Sequence, residues 1–436
     1  MKINVDFNKT VGKIKPMHGV GQPPFAGVDF SMFKYLKDAG VPYSRLHDVG
    51  GIYGGGRWVD IPNLFRDFSA DENDESSYDF TFTDLLITAL VENGVEPFFR
   101  LGVTIENQAR IKSYRLDPPS DYHKWARICE HIIRHYTEGW ANGFHYDIKY
   151  WEIWNEPDNY EEINENQMWK GTKEQYYELY EVASKHLKKC FPHLKIGGYA
   201  SCGFYAISKS FVKEANSSPR KEYFIEFFNG FLDHIKKNDC PMDFFSWHSY
   251  SDIERNREYC EYAKKRLDQA GYGDVEITCN EWNAIVKERG TYRHAAVTAG
   301  MMLMFQDEPL DSAMFYDARY GTSIYGSLFN PLTAEPFPTY YAFTAFNELD
   351  KLGDQVKTER CGDGVYAVSA KNGKNGCIVV VNTTENDISV EFSMNATEKY
   401  CYVTAKGENE KRIDFPKILQ RESISVIHTD IKGDVK

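Results

Sequence analysis

Two glutamates, Glu156 and Glu281, each end an apolar run of residues with a high β-strand preference. The runs cover residues 151–157, WEIWNEP, and residues 276–281, EITCNE. A carboxylate at the end of a buried strand is costly to desolvate, so finding two of them indicates a chemical use. Paired carboxylates hydrolyse glycosidic bonds, one as an acid and the other as a base or a nucleophile.

Short apolar runs alternate with amphipathic segments of helical period from about residue 12 to residue 352. The runs lie at residues 16–19, 43–47, 97–101, 151–156, 194–198, 244–248, 276–281 and 313–316. This order predicts an α/β fold, a closed (β/α)8 barrel over residues 12–352. The alternative is a doubly wound open sheet, which would need a phosphate-binding loop after its first strand. The glycine-rich residues 50–56 lack the Lys-Ser/Thr of such a loop.

The pattern changes after residue 353, where strand-like runs are separated by turn residues such as those of 372–376, NGKNG. Residues 353–436 therefore predict a smaller antiparallel β-sandwich domain. The first strand of the chain, within residues 1–11, is a candidate to complete this sandwich.

A parallel barrel directs the carboxyl ends of all its strands towards one face, where active sites lie. Glu156 would end the fourth strand and Glu281 the seventh, so both would project over the same cavity. A separation of about 5–5.5 Å between the carboxyl groups would imply retention of anomeric configuration, and about 6.5–9.5 Å would imply inversion. For either glutamate alone, a structural ion pair is the alternative, and Glu152, deeper in the fourth strand, is interpreted as structural.

The ordered set of motifs resembles glycoside hydrolase family 39, the β-xylosidase family. This family belongs to the clan of (β/α)8 retaining glycosidases with an Asn-Glu-Pro acid/base. The resemblance covers most of the chain. Besides WEIWNEP and ITCNEW, it is carried by residues 43–47, YSRLH; 78–80, YDF; 91–99, VENGVEPFF; 245–250, FSWHSY; and 338–343, PTYYAF.

The resemblance implies a role for each matching residue. Glu156 would be the general acid/base and Glu281 the nucleophile, with no cofactor and no metal. The implied substrate-binding residues are Asn155 (to the sugar 2-hydroxyl), Arg45 and Tyr250 (which orient Glu281), His47 and His248 (in the −1 pocket) and Trp282 (at the border of the site). A hydrogen-bonded core histidine remains the alternative for both His47 and His248.

The chain departs from the family after the eighth strand. The xylosidases carry an aromatic pair with Trp there, whereas residues 315–319 read FYDAR. Tyr316, Asp317 and Arg319 are candidates for polar contacts to the substrate. The leading hypothesis is a retaining exo-glycosidase, a β-xylosidase of xylo-oligosaccharides. Alternatives are an arabinosidase or galactosidase and, from another class, a non-catalytic carbohydrate-binding scaffold.

The bulk composition bears on partners and location. With 51 basic and 64 acidic residues the net charge is −13, which disfavours nucleic acid and anionic membranes and accommodates a small neutral oligosaccharide or glycoside. The chain lacks an apolar run of about 20 residues and an N-terminal leader pattern, so a cytoplasmic location is expected.

The nine cysteines include no CxxC pair and are interpreted as free thiols. His131 and His135 are interpreted as an outer helix surface, not a metal site. The loop of residues 48–78 is a candidate to close the pocket or to contact a neighbouring subunit in a homo-oligomer.

Overall fold

A closed parallel barrel forms the larger part of the fold. The computed structural model describes residues 1–24, 31–49, 58–105, 116–207, 218–320, 323–359, 362 and 364–432. After an N-terminal strand, β1 (Lys2–Lys13), eight barrel strands follow one another in chain order, and the first pairs with the last. They are β2 (Gly19–Gly21), β3 (Tyr43–Leu46), β4 (Glu96–Leu101), β5 (Tyr150–Ile153), β6 (Lys195–Ser201), β7 (Phe244–Ser249), β8 (Glu276–Trp282) and β9 (Ser312–Phe315). This closure confirms the predicted barrel and rules out the open sheet.

Amphipathic helices surround the barrel strands. The described α-helices are α1 (Phe33–Asp38), α2 (Ile61–Leu64), α3 (Thr81–Glu92), α4 (Tyr122–Thr137), α5 (Lys173–Cys190), α6 (Pro219–Lys237), α7 (Ile253–Ala270), α8 (Tyr292–Asp307) and α9 (Tyr340–Asp350). Side chains of Asp121, Thr172, Ser218, Asp252 and Thr291 accept hydrogen bonds from backbone N–H groups in the first turns of α4 to α8. These caps fix where each helix begins. Among the described helices, none combines the length and apolarity that a membrane span requires.

The remaining strands form a second, mostly antiparallel unit. They are β10 (Asp354–Thr358), β11 (Val365–Asn372), β12 (Asn375–Asn382), β13 (Ile388–Ser389), β14 (Glu391–Met394), β15 (Ala396–Ala405), β16 (Glu408–Ile413), β17 (Ile418–Leu419) and β18 (Ser423–Ile431). The eight-stranded sheet has the order β14-β1-β10-β11-β12-β18-β15-β16, and β13 pairs with β17. β1 lies antiparallel to β10 and parallel to β14. The predicted β domain is confirmed, while its exact residue limits stay a prediction.

Two barrel strands have other limits than the sequence pattern suggested: the fourth ends earlier, and the first begins later. β5 ends at Ile153, three residues before Glu156, and β2 begins at Gly19, where the predicted run ended. Trp154 and Glu156 have φ values of 73° and 44°, a left-handed conformation that residues other than glycine seldom adopt. The chain therefore leaves the strand ladder in a turn and presents Glu156 from that turn. Backbone of this kind is concentrated at functional sites.

Candidate active site

One arginine, Arg45 of β3, joins three elements inside the barrel mouth. Its side chain is buried, and its Nε donates a hydrogen bond to Glu152 Oε2 at 2.7 Å. Nη1 donates to Glu281 Oε2 at 3.1 Å, and Nη2 donates to Asn155 Oδ1 at 2.6 Å. Burial opposes the charge of Arg45, but the carboxylates of Glu152 and Glu281 outweigh this and raise its pKa. The guanidinium is thus a fixed cation beneath the cavity.

Glu152 completes this buried ion network from below. Its Oε1 accepts a hydrogen bond from Asn280 Nδ2 at 2.6 Å, and its side chain is fully buried. Because Asn280 precedes Glu281 on β8, the network ties the fourth barrel strand to the seventh. Glu152 therefore occupies a structural position behind the cavity, as its depth in the strand suggested.

Glu281 is held at both carboxylate oxygens. Tyr250 Oη donates to Oε1 at 2.6 Å, while Arg45 donates to Oε2. The Glu281 side chain is 8% exposed and lines the cavity. Two hydrogen bonds from different directions fix the orientation of the carboxylate, as a nucleophile requires.

Glu156 lies opposite, and a histidine connects it to Glu281. His248 Nδ1 is 2.8 Å from Glu156 Oε1 and 3.7 Å from Glu281 Oε2. Asn159 Nδ2 donates to Glu156 Oε2 at 3.0 Å. One carboxylate oxygen of Glu156 and one of Glu281 lie within 4.8 Å of each other. The two groups are thus close enough to act on one glycosidic bond.

The charges of this cluster are coupled. Burial favours a protonated Glu156, but the hydrogen bonds from His248 and Asn159 outweigh burial and lower the pKa of Glu156. Burial disfavours a charged His248, yet Glu281 and Glu156 raise the pKa of His248. His47 behaves in the opposite way, because burial, Arg100 and Arg45 all lower its pKa. One histidine is therefore poised as a cation and the other as a neutral ring.

A cavity of about 1220 Å³ opens above the two glutamates. Of the site residues predicted from the sequence, those that line it are Glu156, Glu281, His47, Tyr250, Tyr316 and Arg319. Arg45, Asn155 and His248 are buried next to its base through their contacts with Glu281, Arg45 and Glu156. The barrel rim thus brings together residues that lie up to 274 positions apart, from Arg45 to Arg319.

Trp282 lies elsewhere, contrary to its expected place at the border of the site. Its side chain is fully buried, with the ring edge-on to Phe305 of α8 and Phe315 of β9 at centroid distances of 5.6 and 5.2 Å. Successive side chains of a strand point to opposite faces. Since Glu281 faces the cavity, the next residue faces the helix layer.

Asp317 is also buried, and it shapes the segment after β9. It accepts hydrogen bonds from Ser323 Oγ at 2.8 Å and from the backbone N–H of Arg319 at 3.2 Å. Burial raises the pKa of Asp317 to about 7, against the opposing charge of Arg319. Asp317 is therefore buried and holds the backbone of Arg319. Of these two candidate residues, Arg319 is the one that lines the cavity.

Asp48 was missed by the sequence reasoning, although it directly follows the YSRLH motif. Its Oδ2 accepts a hydrogen bond from Tyr316 Oη at 2.9 Å, and its Oδ1 lies 3.2 Å from His47 Nε2. Gln22 Nε2 donates to the same Tyr316 hydroxyl. Asp48 thereby joins the segment after β9 to the end of β3. A carboxylate next to a motif histidine was the available signal.

Metal-like groupings occur at two places in the described residues: Glu156, His248 and Glu281 in the cavity, and Glu130, His186 and Cys190 between α4 and α5. His131 Nδ1 lies 2.9 Å from the Arg127 carbonyl oxygen, and His135 Nδ1 lies 2.9 Å from the Trp140 carbonyl oxygen. His135 is buried, stacks on Phe80 at 3.6 Å and bonds Asp84 Oδ1. The interpretation of His135 as outer surface was therefore wrong, because Phe80 covers that side of α4.

A (β/α)8 barrel with paired carboxylates at the ends of its fourth and seventh strands defines a class of glycosidases. The model of Glycosyl hydrolases family 39 matches residues 1–272, and the chain belongs to this family. The membership confirms the family resemblance.

Among its relatives is a β-xylosidase of Geobacillus stearothermophilus, 24% identical over 362 residues, which cover 73% of this chain and 66% of that protein. A β-xylosidase of Caldicellulosiruptor saccharolyticus is 25% identical over 429 residues, 88% of this chain and 78% of the relative. The chain thus spans just under two thirds of the first relative.

Solved structures share the fold over the whole chain. A glucosidase from Croceicoccus marinus superposes with a TM-score of 0.74 at 19% identity, covering 99% of both chains. A monomeric β-xylosidase from Caulobacter crescentus gives 0.68 at 15% identity, covering 99% of this chain and 100% of that one. Both likenesses support the two-domain architecture.

Replacing Arg45 tests the buried ion network. We expect Arg45→Met to lower the free energy of unfolding by about 3–5 kcal/mol, because Glu152 and Glu281 lose their buried cation. The matched change Arg66→Met removes an exposed pair with Asp79 and should cost under about 1 kcal/mol. Urea denaturation of both variants measures the difference, and equal costs would contradict the role of Arg45.

Asp158, two residues after Glu156, predicts a pH dependence. It accepts hydrogen bonds from Ser201 Oγ and the backbone N–H of Cys202, and burial raises its pKa from 3.8 to about 7. The stability from a raised carboxyl pKa is complete below about pH 4 and is lost as pH rises through about 7. We expect the free energy of unfolding of wild type, relative to Asp158→Asn, to fall over this range.

Urea denaturation at several pH values checks this. The control is Asp387→Asn, since the backbone N–H of Arg421 lowers the pKa of that exposed carboxyl. The difference in free energy of unfolding between wild type and Asp387→Asn should not change with pH above about pH 5. If the difference for Asp158→Asn is also independent of pH, the raised pKa of Asp158 is disproved.

Proposed function

We propose that this protein hydrolyses glycosidic bonds with retention of configuration, through a covalent glycosyl-enzyme on Glu281. The observation that carries the proposal is the approach of the Glu156 and Glu281 carboxylates to within 4.8 Å. This closeness favours the double displacement of retaining enzymes, because the inverting reaction needs room for a water between the carboxyl groups.

In the first step, Glu281 forms a bond to the anomeric carbon as the bond to the leaving oxygen breaks, and Glu156 gives its proton to that oxygen. In the second step, Glu156 takes a proton from water, the water oxygen bonds the anomeric carbon, and the bond to Glu281 breaks. Tyr250 and Arg45 hold the attacking carboxylate. Asn155, fixed by Arg45, is placed to meet the sugar 2-hydroxyl, a contact that tightens in the transition state.

His248 supports the acid role of Glu156. Without substrate, the raised pKa of His248 and the lowered pKa of Glu156 favour a proton on the histidine. His248 Nδ1 and Glu156 Oε1 are 2.8 Å apart, so the proton can move to Glu156 when a sugar enters. The glycosyl-enzyme then removes the charge of Glu281, which lowers the basicity of His248 at that step.

The favoured substrate class is the β-xylosides, with exo action on xylo-oligosaccharides. Two relatives that are β-xylosidases support this. The segment after β9 supports the alternatives, an arabinoside or a galactoside, because Tyr316 and Arg319 line the cavity there. Neutral His47 and the hydroxyl of Tyr316 suit sugar hydroxyl groups, which both donate and accept hydrogen bonds.

A cytoplasmic location is part of the proposal and rests on the free thiols of the eight described cysteines. A homo-oligomer stays a prediction. The loop of residues 48–78 is a candidate to close the pocket or to contact a neighbouring subunit, and its residues 50–57 lie outside the described residues.

A panel of 4-nitrophenyl glycosides tests the class and the sugar. We expect turnover, with the β-xyloside ahead of the arabinoside, the galactoside and a glucuronide, which is included because Arg319 lines the cavity. NMR of the first product should show the β-anomer from a β-xyloside. Turnover of no glycoside would favour the carbohydrate-binding scaffold, and a first-formed α-anomer would exclude retention.

Azide rescue separates the roles of the two glutamates. Glu156→Ala should lose about 10²–10⁴-fold in kcat on substrates with poor leaving groups, less on activated aryl glycosides, and azide should restore turnover with a glycosyl azide of retained configuration. Glu281→Ala should be inactive and yield, with azide, a product of inverted configuration. Exposed Glu335→Ala is the matched control and should need no rescue. If Glu281→Ala gives the retained glycosyl azide and Glu156→Ala the inverted one, the roles of the two glutamates are reversed.

A further inference from the structure

The cavity extends beyond the two glutamates to the second domain. Its volume of about 1220 Å³ exceeds the roughly 300–1,000 Å³ of sites for drug-sized ligands. Its lining also includes Glu254, Arg255, Arg293 and Tyr366, called here the distal wall. Tyr366 belongs to β11, so the sheet domain contributes directly to the cavity.

The distal wall is organised by contacts between the two domains. Tyr366 Oη donates to Glu254 Oε1 at 2.9 Å, and Arg293 Nη1 donates to Glu385 Oε1 at 3.2 Å. Both hydrogen bonds connect a barrel helix, α7 or α8, with the sheet domain. The polar groups are therefore held in place before any ligand arrives, which lowers the entropy cost of binding.

Close packing behind the distal wall restricts its movement. A Cβ added at Gly300 would lie 3.1 Å from the Tyr366 ring and 3.2 Å from both Ile253 Cδ1 and Thr383 Cγ2. The missing side chain lets α8 approach β11 this closely. The ring of Tyr366 is thus fixed at the cavity edge.

The charges of the distal wall favour a neutral ligand. Arg255 Nη1 lies 3.3 Å from Asp252 Oδ2, and Arg293 lies 3.5 Å from Glu288 and 3.2 Å from Glu385. With each guanidinium next to a carboxylate, the wall offers hydrogen-bond donors and acceptors beside an aromatic ring with little net charge. Hydroxyl-rich sugar rings with apolar C–H faces match this combination.

We propose that the distal wall binds a second, non-hydrolysed sugar residue of the substrate, so that the sheet domain forms part of the substrate site. This rests on the proposed function. The cavity then holds a short neutral oligosaccharide, with the scissile bond between Glu156 and Glu281 and another sugar against Tyr366, Arg255 and Glu254. Selectivity for oligosaccharides over simple glycosides follows from the contact between the two domains.

Kinetics on two substrates test the proposal. The measured quantity is kcat/KM for a trisaccharide divided by kcat/KM for the 4-nitrophenyl glycoside of the same sugar. This ratio should fall about tenfold in Arg255→Gln, the factor expected for a lost hydrogen bond to a charged group. It should fall about threefold in Tyr366→Phe, which loses one hydroxyl and keeps the ring against Gly300. Arg412→Gln, on β16 and stacked on Tyr400, is the matched control and should keep the wild-type ratio.

Unchanged ratios in both distal-wall variants, with native melting temperatures, would overturn the proposal. If wild type cleaves no glycoside, the proposed function fails, and calorimetry then tests the distal wall by itself. Trisaccharide should bind wild type more tightly than Arg255→Gln, and equal Kd values, or no binding to either protein, would overturn the subsite.

Discussion

The single guanidinium of Arg45 is the interaction on which the site depends. It meets Glu152, Glu281 and Asn155 at once, so one buried cation sets the relative positions of β3, β5 and β8. Burying a charge is expensive unless its partners are complete. The donors of Arg45 point in fixed directions, and a lysine could not satisfy three separate acceptors in this geometry. The barrel brings the partners of Arg45 within its reach, because parallel strands present their carboxyl ends at one rim. Stability and the orientation of Glu281 therefore come from the same contacts.

The turn after β5 places Glu156, the proposed acid/base, beside this rigid centre. Its left-handed residues, Trp154 and Glu156, carry an energy cost that surrounding contacts must repay. The backbone N–H of Glu156 donates to Ala200 O at 3.0 Å, and Asp158 accepts from Ser201 and Cys202. The turn is thus attached to β6, while His248 of β7 reaches the Glu156 carboxylate. Glu156 is positioned by its neighbouring strands more than by its own.

Sequence reasoning succeeded where the signal was local and periodic. Eight apolar runs predicted the barrel, and two strand ends predicted that Glu156 and Glu281 share one rim, whereas Arg45 came only from the family resemblance. It failed where a position depends on backbone conformation or side-chain direction. The end of β5 depends on positive φ values that the letters WEIWNEP do not encode. Trp282 was misplaced although strand alternation from Glu281 predicts an outward ring. Asp317 was expected at the substrate, but it is buried and accepts hydrogen bonds from Ser323 and from the backbone of Arg319, contacts that the sequence does not reveal. The sequence could not predict that Tyr366 lines the cavity, because this position depends on the contact between the two domains.

Arg45 and Asp48, three residues apart in β3 and its continuation, belong to different side-chain networks. Arg45 points to the carboxylates, whereas Asp48, three residues on, accepts from Tyr316. The described side-chain hydrogen bonds of Tyr316 and Asp317 join them to Asp48, Gln22, Ser323 and Arg319, and none of these is a described hydrogen-bond partner of Arg45. The segment after β9 can therefore vary and leave the Arg45 network in place. The Arg45 network and the segment after β9 thus have separate side-chain hydrogen-bond partners.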